Sequence, residues 1–168
     1  MTLSMYQASI PVFIHMHGNL AGILDKGAAH AEANKIDPTV LVNARLYPNM
    51  FALARQVQIA TDATKGCAAR LSGQTLPSYE DNEKSFADLK ARLDKTVAFL
   101  KTFKPEQIDG SENKTIELKV GGKPMSFKGQ AYLLHYVLPN LYFHTTTAYN
   151  ILRHNGVDVG KADFLGKI

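Results

Sequence analysis

One long helical pattern near the carboxyl end constrains the fold more than any other feature. Residues 128–156 read KGQAYLLHYVLPNLYFHTTTAYNILRHNG, and apolar side chains recur there at helical spacing. Pro139 interrupts the pattern, and a proline inside a helix bends it. The segment ends with Arg153, His154 and Gly156. This pattern indicates a helix carboxyl end, because basic side chains complement the helix dipole there and glycine accepts the left-handed cap. The sequence therefore predicts a long final helix with a defined end.

Three earlier stretches carry the same helical spacing. They run from Thr2 to about Asn34, from Pro48 or Asn49 to Gly73, and from Pro77 to about Phe103. Between Thr115 and Phe127 the period changes to two around Gly121-Gly122, which predicts a β-hairpin. A chain of 168 residues with this order predicts a single domain, 1–168. Its expected fold class is all-α, an antiparallel four-helix bundle with a hairpin before the last helix.

Two groups of residues are predicted to lie outside the core. On the third helix, Arg92 and the neighbouring charged residues are expected to face mostly outward. Glu80, Asp81 and Glu83 precede them, where acidic side chains suit a helix start without any chemical role. The tail from Val157 to Ile168 is short and polar, so it is expected to be loosely ordered.

Composition argues against several classes of protein. No apolar run is long enough to span a bilayer, and the amino terminus lacks a signal peptide pattern. Cys67 is the only cysteine, so no intrachain disulfide can form and a cytoplasmic location is predicted. The net charge of +4 is spread without basic runs. This distribution favours a solvated surface over nucleic acid binding.

Two of the six histidines are placed to face the bundle interior. His17 lies in the centre of the first apolar stripe, and His144 lies beside the last one, one turn after Asn140. Thr61 and Thr64 fall on the predicted buried face of the second helix. These five residues are the candidate lining of a ligand pocket, in which a neutral imidazole acts as base or ligand. The alternative is that both histidines are ordinary core residues with satisfied hydrogen bonds.

Spacing gives little support to a metal site. Zinc bound by one helix takes two histidines at i and i+4, and no pair here has that spacing. Cys67 lies near a helix carboxyl end, where the dipole disfavours a thiolate, so a packing role is expected. No catalytic residue is predicted.

The last helix carries a heavy aromatic load and is apolar on more than one side. A second subunit is expected to cover part of it, which predicts a homodimer. The aromatic residues are Tyr132, Tyr136, Tyr142, Phe143 and Tyr149.

Four segments together resemble a known superfamily. They are MYQASIPVF, PNMFALARQVQIATD, TIELKVGGKPMSFKGQAYLLH and LPNLYFHTTTAYNILRHNGV, and they span nearly the whole chain. The chain is similar to the DinB/YfiT-like four-helix bundles, and it looks closest to a bacterial branch classed as a domain of unknown function. The resemblance implies an up-down-down-up bundle and often a dimer.

The resemblance also implies where a metal would bind. Metal-binding members use one histidine on the second helix and two, four residues apart, on the last helix. Some are thiol-dependent transferases or isomerases that use a divalent metal. Here His144 matches the final histidine, Asn140 stands in place of its partner, and Gln58 or Gln56 is nearest on the second helix. Two of the three ligands are therefore missing.

Three functions remain open at this point. The favoured hypothesis is a protein that binds a small molecule in the bundle interior without a three-histidine metal site. The second is a zinc or nickel enzyme of the thiol-dependent transferase type, with a rearranged site of His144, His17, Asn140 and Gln58; its amide ligands would bind zinc weakly. The third is a structural or protein-interaction module. Whether the chain is an enzyme is left open.

Overall fold

Four long helices form the body of the computed structural model, which describes residues 3–167. They are α1 (Ile10–Ala33), α3 (Leu53–Ser72), α4 (Phe86–Leu100) and α7 (Leu138–His154). The shorter elements are α2 (Pro38–Val42), α5 (Pro105–Ile108), strands β1 (Thr115–Val120) and β2 (Lys123–Lys128), α6 (Gly129–Ala131), a π-helical segment (Tyr132–Val137) and α8 (Lys161–Leu165). The predicted helical bundle with a hairpin before the last helix is confirmed.

Local capping explains why two helices begin later than the apolar pattern suggests. Ser85 forms a capping box with Asp88, so α4 begins at Phe86 and not near Pro77. Helix α1 begins at Ile10 with Pro11 in its first turn, and Thr2 lies outside the described residues.

The helices pack in an order that differs from a simple up-and-down bundle. Helix α3 packs against α7 and α4, whereas α1 packs against α4 and α7. The first two long helices, α1 and α3, therefore lie diagonally across the bundle and touch mainly through its centre. This order agrees with the up-down-down-up expectation.

A layer of polar side chains divides the core into two apolar clusters. One cluster contains Met16 on α1 and Leu141 on α7, and the other contains Leu20 and Ala148 on the same helices. Between them, each long helix contributes at least one buried polar residue. These residues, here called the polar layer, are His17, Thr61, Thr64, Thr96 and Thr145.

The hairpin closes one end of the bundle. Its strands pair antiparallel, with Ile116 opposite Phe127, and Gly121-Gly122 makes the turn as predicted. Ile116 is buried in the core, and Phe127 packs against it. The strand β2 continues directly into α6, the π-helical segment and α7.

The carboxyl-terminal tail is ordered, contrary to the expectation of a loose tail. Val157 and Val159 are buried, and α8 docks against α1. Asn19 donates a hydrogen bond to the carbonyl of Phe164, and Lys26 pairs with Asp163 at 2.7 Å. The prediction was wrong because two buried valines anchor the segment, although its composition is polar. Ile168 lies outside the described residues.

No helix among residues 3–167 has both the length and the apolar character needed to cross a membrane.

Candidate functional site

His17 joins the diagonal helices at the bundle centre. Its Nε2 lies 2.7 Å from the hydroxyl oxygen of Thr64, and both residues are fully buried. Thr64 can also donate to the carbonyl of Thr61 at 3.1 Å. The structure thus brings together three of the five residues predicted to line a pocket.

The bonding of Thr64 indicates the tautomer of His17. A hydroxyl that donates to the Thr61 carbonyl accepts from His17, so the ring proton is on Nε2. The other nitrogen, Nδ1, is buried and has no hydrogen-bond partner in the described chain. Burial lowers the pKa of His17 to about 4. His17 is therefore a neutral side chain with no open side.

His144 forms a separate site with Gln56. The His144 Nδ1 lies 2.7 Å from the Gln56 side-chain oxygen, although the residues are 88 positions apart in sequence. The Gln56 amide nitrogen in turn donates to the carbonyl of Phe51 at 3.0 Å, which fixes the orientation of the amide. Because the Gln56 oxygen can only accept, Nδ1 of His144 carries the proton.

The second nitrogen of His144 is available for a ligand. Nε2 has no hydrogen-bond partner among residues 3–167, yet it is not sealed from solvent as Nδ1 of His17 is. Burial, followed by the charge of Arg55, lowers the pKa of His144 to about 4. At neutral pH this ring therefore presents an unprotonated lone pair to its surroundings.

Two exposed aromatic residues contact the pair formed by His144 and Gln56. Phe143 packs edge-on against the His144 ring, with the centroids 5.1 Å apart, and is 55% exposed. Phe51, whose carbonyl holds Gln56, is 53% exposed, and the Arg55 guanidinium lies over its ring. These five residues, His144, Gln56, Arg55, Phe51 and Phe143, are here called the His144 site.

The remaining predicted site residues bond elsewhere. Asn140 donates to the carbonyl of Tyr136 at 2.7 Å, one turn back on its own helix. The Gln58 amide donates to Glu83 at 2.8 Å and its oxygen accepts from Arg55. His17 and His144 share no hydrogen-bond partner in the described chain.

Arg92 is buried, which corrects the expectation that it faces outward. Its side chain is 2% exposed. The guanidinium donates to the Thr61 hydroxyl at 2.7 Å and to Asp62 at 2.9 Å, both on α3. It also contacts Asp81 at 3.1 Å and Glu83 at 3.0 Å, so two of the three acidic residues before α4 pair with this arginine.

The donor atoms do not fit the metal site of the superfamily. Among residues 3–167 no three side chains of His, Cys, Asp or Glu converge as metal ligands. Four surface cavities of the described chain, of about 790, 400, 340 and 240 Å³, are lined by other residues than the five pocket candidates.

Comparison with known proteins identifies the family. Residues 5–165 match the family described as a domain of unknown function, DUF1993. The chain belongs to the DUF1993 family. It also matches the crystal structure of a DinB family member protein from Shewanella denitrificans, with 42% sequence identity and a TM-score of 0.88. That match covers 97% of this chain and 92% of the other.

No curated protein matches the chain. The DUF1993 assignment and the DinB neighbour together confirm the resemblance drawn from the four sequence segments.

Sequence reasoning missed Arg55, Phe51 and Arg92 as members of these polar clusters. For Arg92 a signal exists, because the buried residues Leu89 and Thr96 lie three and four residues away on the same face of the helix. No local signal connects Gln56 with His144.

Proposed function

We propose that this DUF1993 protein binds a small organic molecule at the His144 site. The observation that carries the proposal is the oriented imidazole: Gln56 holds Nδ1–H, and Nε2 faces away with its lone pair free. A neutral imidazole in this state accepts a hydrogen bond from a hydroxyl or ammonium group. His17 cannot do the same, because its burial leaves no open side.

The neighbours of His144 indicate the character of the ligand. Phe51 and Phe143 offer exposed apolar rings, and Arg55 supplies positive charge. A molecule with an apolar or aromatic body and one hydrogen-bond donor suits this combination. Such a ligand would lie at the edge of the bundle, between the exposed rings.

The metal-enzyme alternative is less well supported by the geometry. Of the two histidines among its four candidate ligands, only His144 has a free nitrogen that is not sealed from solvent. Asn140 and Gln58 are engaged with protein partners, and His17 bonds Thr64 across the bundle. A zinc or nickel site would require all three to reorganise.

The test compares wild type, His144→Ala and the control His135→Ala, whose histidine is exposed on the same helical element. Phenols, hydroxy acids and primary ammonium compounds are titrated while the ¹⁵N signals of the histidine rings are recorded. We expect His144 to show the Nδ1–H tautomer, and at least one compound class to shift its Nε2 signal. The shift should persist in His135→Ala and vanish in His144→Ala.

Two results would overturn the proposal. One is the absence of any shift at His144 at millimolar concentrations of all three classes, which would favour a structural or interaction module. The other is near-stoichiometric zinc or nickel in protein purified without added metal and lost in His144→Ala. That result would favour the divalent-metal enzyme.

We also propose that the protein forms a homodimer through the π-helical segment and α7, and that it acts in the cytoplasm. The dimer proposal is supported by three large side chains that remain exposed there: Leu134 (39%), Tyr142 (41%) and Phe143 (55%). The proposed location rests on the single cysteine alone.

A further inference from the structure

The connector between α3 and α4 has none of the usual means of attachment. Residues 75–84, here called the strap, form neither helix nor strand, and none of them is fully buried. Residues 75–83 make no main-chain to main-chain hydrogen bond within the described chain. Leu76, the large aliphatic side chain of the strap, is 42% exposed. Neither apolar burial nor backbone pairing holds this segment in place.

Charged side chains hold the strap instead, and Arg92 makes most of these contacts. The guanidinium donates to the Glu80 carbonyl and to Glu83, each at 3.0 Å, and forms an ion pair with Asp81 at 3.1 Å. On α3, Gln58 donates to Glu83 at 2.8 Å. Every one of these bonds joins a helix of the bundle to the strap.

The rest of the strap lies beside open space. The Tyr79 ring is contacted by Lys65 at 4.0 Å and by Lys95 at 4.2 Å, which are cation–π contacts. A cavity of about 790 Å³ separates part of the strap from α4, and one of about 340 Å³ lies toward α3. Tyr79 lines both cavities. The strap is therefore fastened at a few charged points and is not packed along its length.

We propose that the strap opens as a unit while the four long helices stay folded. Opening does not leave Arg92 as an unpaired buried charge, because Thr61 and Asp62 on α3 still accept two of its hydrogen bonds. Water can reach the donors that the strap releases, through the cavities on either side. The free energy of opening is therefore that of breaking these local contacts, and it contains no cost for exposing the apolar core.

Opening changes what the bundle presents to solvent. It removes Asp81 from Arg55 and Glu83 from Gln58, and it uncovers the end of the polar layer at Thr61. The strap therefore covers the face of α3 that runs from Arg55 to Lys65. Arg55 is next in sequence to Gln56, which bonds His144.

Limited proteolysis of the full chain tests the proposal. Chymotrypsin cleavage after Tyr79 is timed for wild type, Arg92→Met and the control Arg153→Met, whose arginine is exposed on α7 and pairs with Asp158. Arg92→Met leaves the strap sequence unchanged, so the preference of the protease is the same. We expect cleavage to be about tenfold faster or more in Arg92→Met only, because two charge-assisted hydrogen bonds and one ion pair to the strap are lost.

A second variant guards against a folding defect. Glu83→Gln alters the strap side of the network, four residues from the scissile bond, and should also accelerate the cut after Tyr79. Helical circular dichroism and the thermal midpoint of Glu83→Gln should stay close to wild type. Equal cleavage rates in Glu83→Gln and wild type would overturn the proposal. The proposal would also be overturned if the first cleavages of Glu83→Gln were distributed over its whole chain and the variant had lost helicity.

Discussion

At the scale of single residues, two histidines with similar pKa values have opposite surroundings. His17 and His144 both titrate at about 4, below the usual 6.5, because burial disfavours the charged ring. An unfolded chain binds those protons near 6.5. The unfolded state therefore gains protons first as the pH falls, and the stability from both rings is complete above pH 6.5 and declines toward pH 4.

Replacing His17 should stabilise the protein. His17→Leu removes an imidazole with an unpaired buried nitrogen, and Thr64 keeps its bond to the Thr61 carbonyl. We expect the free energy of unfolding to rise by about 1 kcal/mol at pH 7. At pH 5 the gain should be larger by about 2 kcal/mol, because the variant has no ring to protonate on unfolding.

Urea denaturation at both pH values measures this effect, with exposed His135→Ala as the control. A loss of stability in His17→Leu at pH 7 would show that Nδ1 has a partner such as a buried water or ligand.

At the scale of elements, the junction between the hairpin and α7 departs from regular helical winding. In the π-helical segment the Leu138 N–H reaches back five residues to the Leu133 carbonyl. Pro139, next in sequence, has no N–H to continue the regular pattern. The side chain of Asn140 donates to the Tyr136 carbonyl, so the deviation in winding leaves that acceptor satisfied. Asn140 therefore has a local structural role at the transition from the π-helical segment to α7.

The start of this junction admits only glycine. A Cβ on Gly129 would lie 2.0 Å from the carbonyl oxygen of Ser111, and backbone cannot move aside as a side chain can. We expect Gly129→Ala to lower the free energy of unfolding by about 2–3 kcal/mol.

The matched control is Gly22→Ala, where nothing lies within 4 Å of the added methyl group on α1. That variant should be more stable than wild type by up to about 1 kcal/mol. Thermal or urea unfolding compares the two variants, and equal effects would contradict the steric argument.

At the scale of the whole molecule, exposed aromatic side chains remain on an otherwise well-filled bundle. Tyr142 and Phe143 on α7 leave apolar surface beside the His144 site. A second copy covering α7 would also enclose this site.

Sedimentation velocity tests the proposed dimer. We expect wild type to sediment as a dimer at micromolar concentration and Phe143→Ser to sediment as a monomer, because the change removes a large apolar contact. Val40→Ser is the control, since its side chain is 58% exposed but lies on α2, outside both α7 and the His144 site. A monomeric wild type would rule out the dimer.

Local patterns explain what the sequence could predict. Helical spacing located the four long helices, and Gly73 ends α3 at a φ of 80° as expected for a glycine cap. Residue patterns alone did not predict the contact between Gln56 and His144, because the two meet only after the bundle has formed. The family resemblance suggested Gln58 or Gln56 at this position, and the structure places Gln56 there. The prediction that Arg92 faces outward was wrong, because it followed the charge of the side chain and not its position on the inward stripe.

The bonding of Arg92 has a consequence for how this family can change over time. A lysine there would offer one compact ammonium group to partners now served by a planar fork with five N–H bonds. Asp62, Asp81 and Glu83 all contact that fork. We expect homologues that lack this arginine to have altered the three carboxylates together, so that the four positions covary as a single heritable unit.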